Sequence, residues 1–190
     1  MSAPAGWRGD EGTLAQSLEL SGRGLHTGRR VNVRIVPSEA GGIVFRRMGG
    51  GRALAELPAS PAIRLAQPLC TTLQTDGDVR VRTVEHLLAS LLACEIDHAT
   101  VELDAEEVPI LDGSAQPWIQ AINGRDRRSL PARKRFIRVL RAVSVEDGAG
   151  TKNVRSMRVE PAERYRSVTH LVFTGVALVV RMAAVAVTAF

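Results

Sequence analysis

Apolar and polar residues alternate along much of the chain, interrupted by two stretches in which apolar residues recur at helical spacing. Residues 1–12 are poorly patterned and form a loose start. The stretch Thr13-Leu14-Ala15-Gln16-Ser17-Leu18-Glu19-Leu20 predicts a strand, which Ser21-Gly22-Arg23-Gly24-Leu25-His26-Thr27-Gly28 ends with three glycines. Val31-Asn32-Val33-Arg34-Ile35-Val36 alternates again, and the Gly41-Gly42 turn leads to a short strand at Ile43-Val44-Phe45. Residues 48–62 read as a connection. Residues 81–94 predict the main helix, with Thr83 as its cap and Val84, Leu87, Leu88, Leu91 and Leu92 on one face. A strand at 99–103 follows, then a shorter helix capped by Ser114 that carries Trp118, Ile119 and Ile122 and stops at Asn123-Gly124. Beyond the charged run 125–134, which reads as a basic linker, residues 136–145 and 154–159 alternate around an Asp147-Gly148 turn. Strands and two helices in this mixed order predict an α+β fold, with a first domain over 1–124 and a mostly β remainder over 135–190.

Residues 171–190 are strongly apolar and could be taken for a membrane helix. Arg181 lies inside the run, Gly175 interrupts it, and five valines fall among residues 172–185. The clean run is also shorter than the roughly 20 residues a bilayer requires, so buried strands are expected and no transmembrane span.

Composition narrows the class. The chain has 190 residues, 45% hydrophobic and 24% charged, which describes a globular chain and excludes collagen-like, mucin-like and acidic disordered ones. Two cysteines, Cys70 and Cys94, are too few for a disulfide framework and form no CxxC pair. Reduced thiols and a start without a basic, apolar leader point to the cytoplasm. The pI near 10.2 is unevenly built. Residues 1–124 hold 11 Arg and 15 acids, a net of −4, whereas residues 125–190 hold 14 Lys or Arg and five acids, a net of +9. A nucleic-acid arm at 125–141 would have one aromatic, Phe136, for base stacking. No nucleic-acid partner is therefore expected.

The candidate chemistry is sparse. Glu85-His86 opens the main helix: it is either an exposed helix start with Glu85 near the positive dipole end, or a metal-binding histidine beside a carboxylate that reaches the metal's water. His26 lies in the glycine-flanked loop, where a structural role competes with a place beside a ligand. Asp112-Gly113-Ser114 reads as a turn and cap, leaving Asp112 as an orienting carboxylate. Glu106-Glu107 reads as a solvated loop pair, and Cys70 as a small buried hydrophobe rather than a nucleophile.

Five segments in order carry a resemblance: Ser21-Gly-Arg-Gly-Leu-His-Thr-Gly28, Gly42-Ile-Val-Phe-Arg46, Leu69-Cys-Thr71, Thr83-Val-Glu-His-Leu87 and Pro109-Ile-Leu-Asp-Gly-Ser-Ala115. Over about residues 13–147 the chain resembles the UDP-3-O-acyl-N-acetylglucosamine deacetylase family, zinc amidases of lipid A synthesis in Gram-negative bacteria. The resemblance implies a two-layer domain, a sheet on a helix pair, followed by a second domain of the same kind that is incomplete here, with the site between them. It implies Glu85 as general base, His86 as a Zn2+ ligand, Leu69 and Cys70 against a UDP-acyl-amino-sugar substrate, and His26 and Asp112 in support.

The family takes further zinc ligands from an H-K-x-x-D motif in its second domain, and a further histidine there is its general acid. After His98 this chain has only His170, which is followed by Leu171-Val-Phe-Thr174. Catalytic zinc takes three protein ligands, so the chain alone is expected to bind zinc weakly and hydrolyse little, as a fragment or truncated copy of a monomeric enzyme. The alternative is a non-catalytic module or remnant that holds a UDP-sugar or a protein partner.

Overall fold

The alternating runs become strands because each can bury every second side chain against one core. The structure is a computed structural model that describes residues 8–67, 69–137, 139–147, 155–162, 167–173 and 176–182. In chain order the elements are β1 (Asp10–Leu14), β2 (Leu18–Arg23), β3 (Arg30–Pro37), β4 (Ile43–Gly49), β5 (Arg52–Pro58), a 3-10 turn (Pro61–Ile63), β6 (Arg64–Leu65), β7 (Thr72–Gln74), β8 (Arg80–Arg82), α1 (Glu85–Ala93), β9 (Ala99–Leu103), α2 (Gln116–Asn123), β10 (Arg127–Arg133), β11 (Val143–Asp147), β12 (Arg155–Val159), β13 (Ser167–Phe173) and β14 (Val176–Met182). The fold is α+β. It divides into one unit spanning Arg8–Lys134 and a second that begins at Arg135.

The main sheet of the first unit has the order β2-β3-β9-β4-β5, with β4 and β9 parallel and every other neighbour antiparallel. Its inner face carries Leu18, Val31, Val33, Ile35, Val101, Leu103, Phe45 and Leu57, all buried. These join Leu87 and Leu91 of α1 and Trp118 and Ile122 of α2 in one core, a sheet on a helix pair. The outer face shows the other half of the alternation as a row of charges. Glu19 pairs with Arg34 (3.5 Å), Arg34 with Glu102 (3.3 Å), Glu102 with Arg46 (3.0 Å) and Arg46 with Glu56 (2.7 Å). One row thus crosses all five strands with alternating sign, because register places each acid opposite a base.

Several sequence expectations are corrected. Residues 48–62 are not a connection, since β5 and the 3-10 turn occupy them. The strand expected from Thr13 is two strands, β1 and β2, which pair with different partners. The main helix starts at Glu85 rather than 81, because 80–82 pair with β7 as β8. Val84, not Thr83, occupies its cap position and makes no side-chain cap bond. Ala115 holds that position in α2, although the Ser114 hydroxyl accepts from the Gln116 N–H (3.1 Å).

The supposed linker is the largest correction. Residues 127–133 form β10, which pairs antiparallel with β1. Its cations have partners in the acidic part of the chain. Arg127 donates through Nε to the Glu95 carbonyl (2.9 Å) and through Nη2 to the Asp10 carbonyl (2.7 Å). It lies so close over Gly12 that any Cβ there would collide with its guanidinium. Lys134, with 2% of its side chain exposed, reaches Glu95 and Asp97, both at 3.2 Å. Burial holds Asp97 above the ordinary carboxylate range against the pull of Lys134. Composition could not distinguish these cations from a solvated run, because their partners are remote in sequence.

In the second unit β11 pairs antiparallel with β12, Val143 opposite Val159 and Asp147 opposite Arg155, so the two strands pair as expected but Asp147 lies in the ladder and not in the turn, and residues 148–154 lie outside the described residues. The described residues among 136–142 are not part of that ladder. The apolar region that begins near 171 holds β13 and β14, paired antiparallel, and residues 183–190 lie outside the description. Among the described residues no helix is long and apolar enough to cross a membrane.

Two stability predictions follow from the charges. Lys134→Met strands two largely buried carboxylates and is expected to cost about 3 kcal/mol in urea unfolding, whereas a cost below about 1 kcal/mol would show that this cluster does not fasten β10 to the domain. Arg46→Leu breaks the centre of the outer row and is expected to cost about 1 kcal/mol at low salt, shrinking as salt is added. A loss independent of salt would assign the effect to packing instead.

Candidate active site

The N-terminus of α1 is held by three segments from elsewhere in the chain, two that bond its entry directly and a third that reaches it through Glu107. The first is the loop before β7. The Thr71 N–H donates to Glu85 Oε2 (3.1 Å), and the Thr71 carbonyl accepts from the Val84 N–H (3.4 Å). This exchange fixes both the helix start and the direction of the Glu85 carboxylate. Glu85 and His86 are half-buried. Among the described residues the His86 imidazole makes no hydrogen bond, while its carbonyl accepts from the Ser90 hydroxyl (2.7 Å). Ser90 also donates to the Ala115 carbonyl (3.2 Å), so α1 is tied to the segment that starts α2.

The second segment is 106–110, and it holds the residue that the sequence pattern misjudged. Glu107 is not a solvated loop acid. It is 1% exposed and accepts from the His26 N–H (2.9 Å), the Thr27 N–H (2.8 Å) and the Thr83 hydroxyl (3.0 Å). Burial pushes its pKa up, but the bonds from His26, Thr27 and Thr83 outweigh that and hold it below the ordinary carboxylate range. Two features of the sequence agree with its burial without singling it out. The glycine-flanked turn 24–28 leaves backbone N–H groups that need an acceptor, and Glu107 directly precedes the apolar Val108-Pro109-Ile110-Leu111.

The third segment is that glycine-flanked turn. A Cβ at Gly24 would lie 2.3 Å from Glu107 Oε2, and one at Gly22 would lie 2.7 Å from Cβ of Pro109. These glycines admit the neighbouring segment rather than merely turning the chain. The Ile110 N–H completes the contact by donating to the Arg23 carbonyl (3.0 Å).

Each residue singled out in the sequence now has a place. Leu69 is 87% exposed with φ of 71°, a left-handed conformation that turns a large apolar side chain outward. Cys70 is half-buried and free, and its Sγ accepts from Gln67 Nε2 (3.1 Å). Burial pushes its thiol up, but contacts with Thr72, Gln67 and Arg82 bring it below the usual thiol range. Gln67 and Arg82 had carried no signal in the sequence. His26 contributes its backbone N–H, and its ring is exposed. Asp112 is exposed and directs Oδ1 to the N–H and hydroxyl of Ser114, both 2.9 Å, a turn that holds its pKa low. Thus Glu85, His86, Leu69 and Cys70 gather around Thr71 and the start of α1. His26 joins through Glu107, and Asp112 is committed to its own turn. Among the described residues no three His, Cys, Asp or Glu side chains converge as a metal site.

Comparison with known proteins gives this arrangement a lineage. The family described as LpxC, UDP-3-O-acyl N-acetylglycosamine deacetylase, matches residues 11–189. A UDP-3-O-acyl-N-acetylglucosamine deacetylase of Vibrio cholerae serotype O1 is 42% identical over 137 residues, covering 72% of this chain and 45% of that protein. Enzymes of the same name from Aliivibrio fischeri and Idiomarina loihiensis are 38% and 40% identical, with 47% and 44% of their lengths covered. The chain therefore spans a little under half the length of these curated relatives. With a family match across nearly the whole chain, it belongs to the UDP-3-O-acyl-N-acetylglucosamine deacetylase family.

Proposed function

We propose that the chain serves the zinc-dependent deacetylation of UDP-3-O-acyl-N-acetylglucosamine in lipid A synthesis, in the cytoplasm, with Glu85 as general base and His86 as one zinc ligand. The observation that carries the reading is the pairing at the start of α1. A carboxylate aimed by the Thr71 N–H stands next to an imidazole whose ring nitrogens are not spent on hydrogen bonds among the described residues. Glu85 takes the proton of the water that attacks the acetamide carbonyl. Leu69 and Cys70, on the loop that aims Glu85, meet the acyl-sugar, and His26 supports the site through its backbone N–H to Glu107, while Asp112 acts at most through the turn it holds before α2. The described residues do not by themselves make a catalytic zinc centre, since they supply one histidine where three protein ligands are needed. On this reading the remaining ligands come from outside them.

The same shortfall favours one further reading, a module that holds the UDP-acyl-sugar without turning it over. One experiment separates the two. Acetate release from UDP-3-O-acyl-N-acetylglucosamine is measured with zinc supplied, for the chain alone and for the chain joined to the C-terminal half of the Vibrio cholerae relative. The chain alone is expected to bind zinc weakly and release little acetate, and the joined protein to be active. In the joined protein, Glu85→Gln should lower turnover by about a hundredfold or more while zinc is retained, and His86→Ala should weaken zinc binding. Wild-type turnover in both variants would refute the roles of this pair. Substrate binding without acetate release in the joined protein would select the binding module.

A further inference from the structure

The geometry points to Glu107 as a positioning residue: by holding the turn at Thr83, its buried carboxylate aims Glu85 and His86 at the start of α1. The catalytic meaning of this inference rests on the deacetylase reading, but the geometric claim does not. Thr83 has φ of 58°, a left-handed backbone that is a strained outlier for a β-branched residue. Such a conformation persists only where its surroundings impose it. Here the Thr83 hydroxyl donates to Glu107 Oε1 (3.0 Å), the preceding residue is held on both sides by Arg82 N–H to Glu106 O (2.9 Å) and Val108 N–H to Arg82 O (3.0 Å), and the following one by Val84 N–H to Thr71 O. Thr83 immediately precedes the residue that starts α1, so its backbone sets the direction from which Glu85 and His86 leave the turn.

The chemistry of the anchor is specific. Oε1 accepts from His26 and Thr83, and Oε2 accepts from Thr27, so every partner is a donor. An ionised carboxylate is acceptor-only and suits all three, whereas a glutamine amide turns an N–H toward at least one of them. The position of the anchor is equally constrained, because Gly24 leaves no more than the space Oε2 fills. Glu107 thereby connects the 24–28 turn to the turn before α1, and Glu85 connects α1 to Thr71. The Thr71 N–H is the last bond in this series and touches neither Glu107 nor Thr83.

That remoteness supplies the test. Amide hydrogen exchange is followed in the full chain for wild type, Glu107→Gln, Thr83→Val and Thr83→Ser, comparing Thr71 with Phe45 and Val101 in the central strands. Glu107→Gln and Thr83→Val should lower Thr71 protection by about tenfold relative to the core amides, the size of one lost hydrogen bond. Thr83→Ser, which keeps the hydroxyl, should leave it at the wild-type value. A uniform fall at Thr71, Phe45 and Val101 would make Glu107 a residue of general stability and overturn the inference. So would loss confined to the His26 and Thr27 amides with Thr71 unchanged, since Glu107 would then hold only the glycine-flanked turn. Acetate release by the same variants in the joined protein is read separately. If wild type there releases none, the deacetylase reading fails while the exchange result still decides whether Glu107 aims the start of α1.

Discussion

A carboxylate taken out of water must be met by donors, and that requirement at Glu107 organises this domain. The His26 and Thr27 amides and the Thr83 hydroxyl meet it, and each of those belongs to a different segment from Glu107 itself. Satisfying one buried charge thus brings together the glycine-flanked turn, the strained entry to α1 and the segment leading to α2. Gly24 is small because the carboxylate needs its space, and Thr83 tolerates its left-handed backbone because its hydroxyl is anchored. Removing the charge while keeping the shape would leave the three donors without a common acceptor, which makes burial and ionisation inseparable at this position.

The same principle governs the larger distribution of charge. An acidic stretch and a basic one look like separate bodies when counted along the chain, yet β10 lies against β1, and its Arg127 and the Lys134 just after it reach carbonyls and carboxylates of the acidic part. On the outer face of the main sheet charge is arranged differently, as an exposed row of alternating sign across five strands. The buried pairs fix how segments meet. The exposed row adds modest, salt-sensitive stability and keeps that face polar.

Helix and sheet in turn place the pair at the start of α1. The core under the sheet buries Leu87 and Leu91, and that face of α1 sets the rotation of the helix, leaving Glu85 and His86 half-buried at its end. The short strands β6, β7 and β8 bring Thr71 to the same place, and its N–H turns a carboxylate near a helix N-terminus into a directed one. The deacetylation proposed above asks for such a carboxylate, with lone pairs open to the reaction while its other contacts hold it still.

Local periodicity by itself determined the α+β class, the inward residues of β3 and β9, the apolar stripe of α1 and the hairpin of β11 and β12, because a period of two or of 3.6 is written in neighbouring residues. Ordered short segments such as Thr83-Val-Glu-His-Leu87 and Pro109-Ile-Leu-Asp-Gly-Ser-Ala115 carried the family likeness and named Glu85 and His86 as candidates. Tertiary structure alone decided that Glu107 is buried, that Thr83 is an anchored turn and not a cap, and that 127–133 is a strand and not a linker. The physical reason is distance along the chain. His26 and Glu107 are 81 positions apart, and whether an acid or a base is solvated or paired depends on which remote segment the fold sets against it. Pattern states which way a side chain faces, and only the folded chain states what waits there.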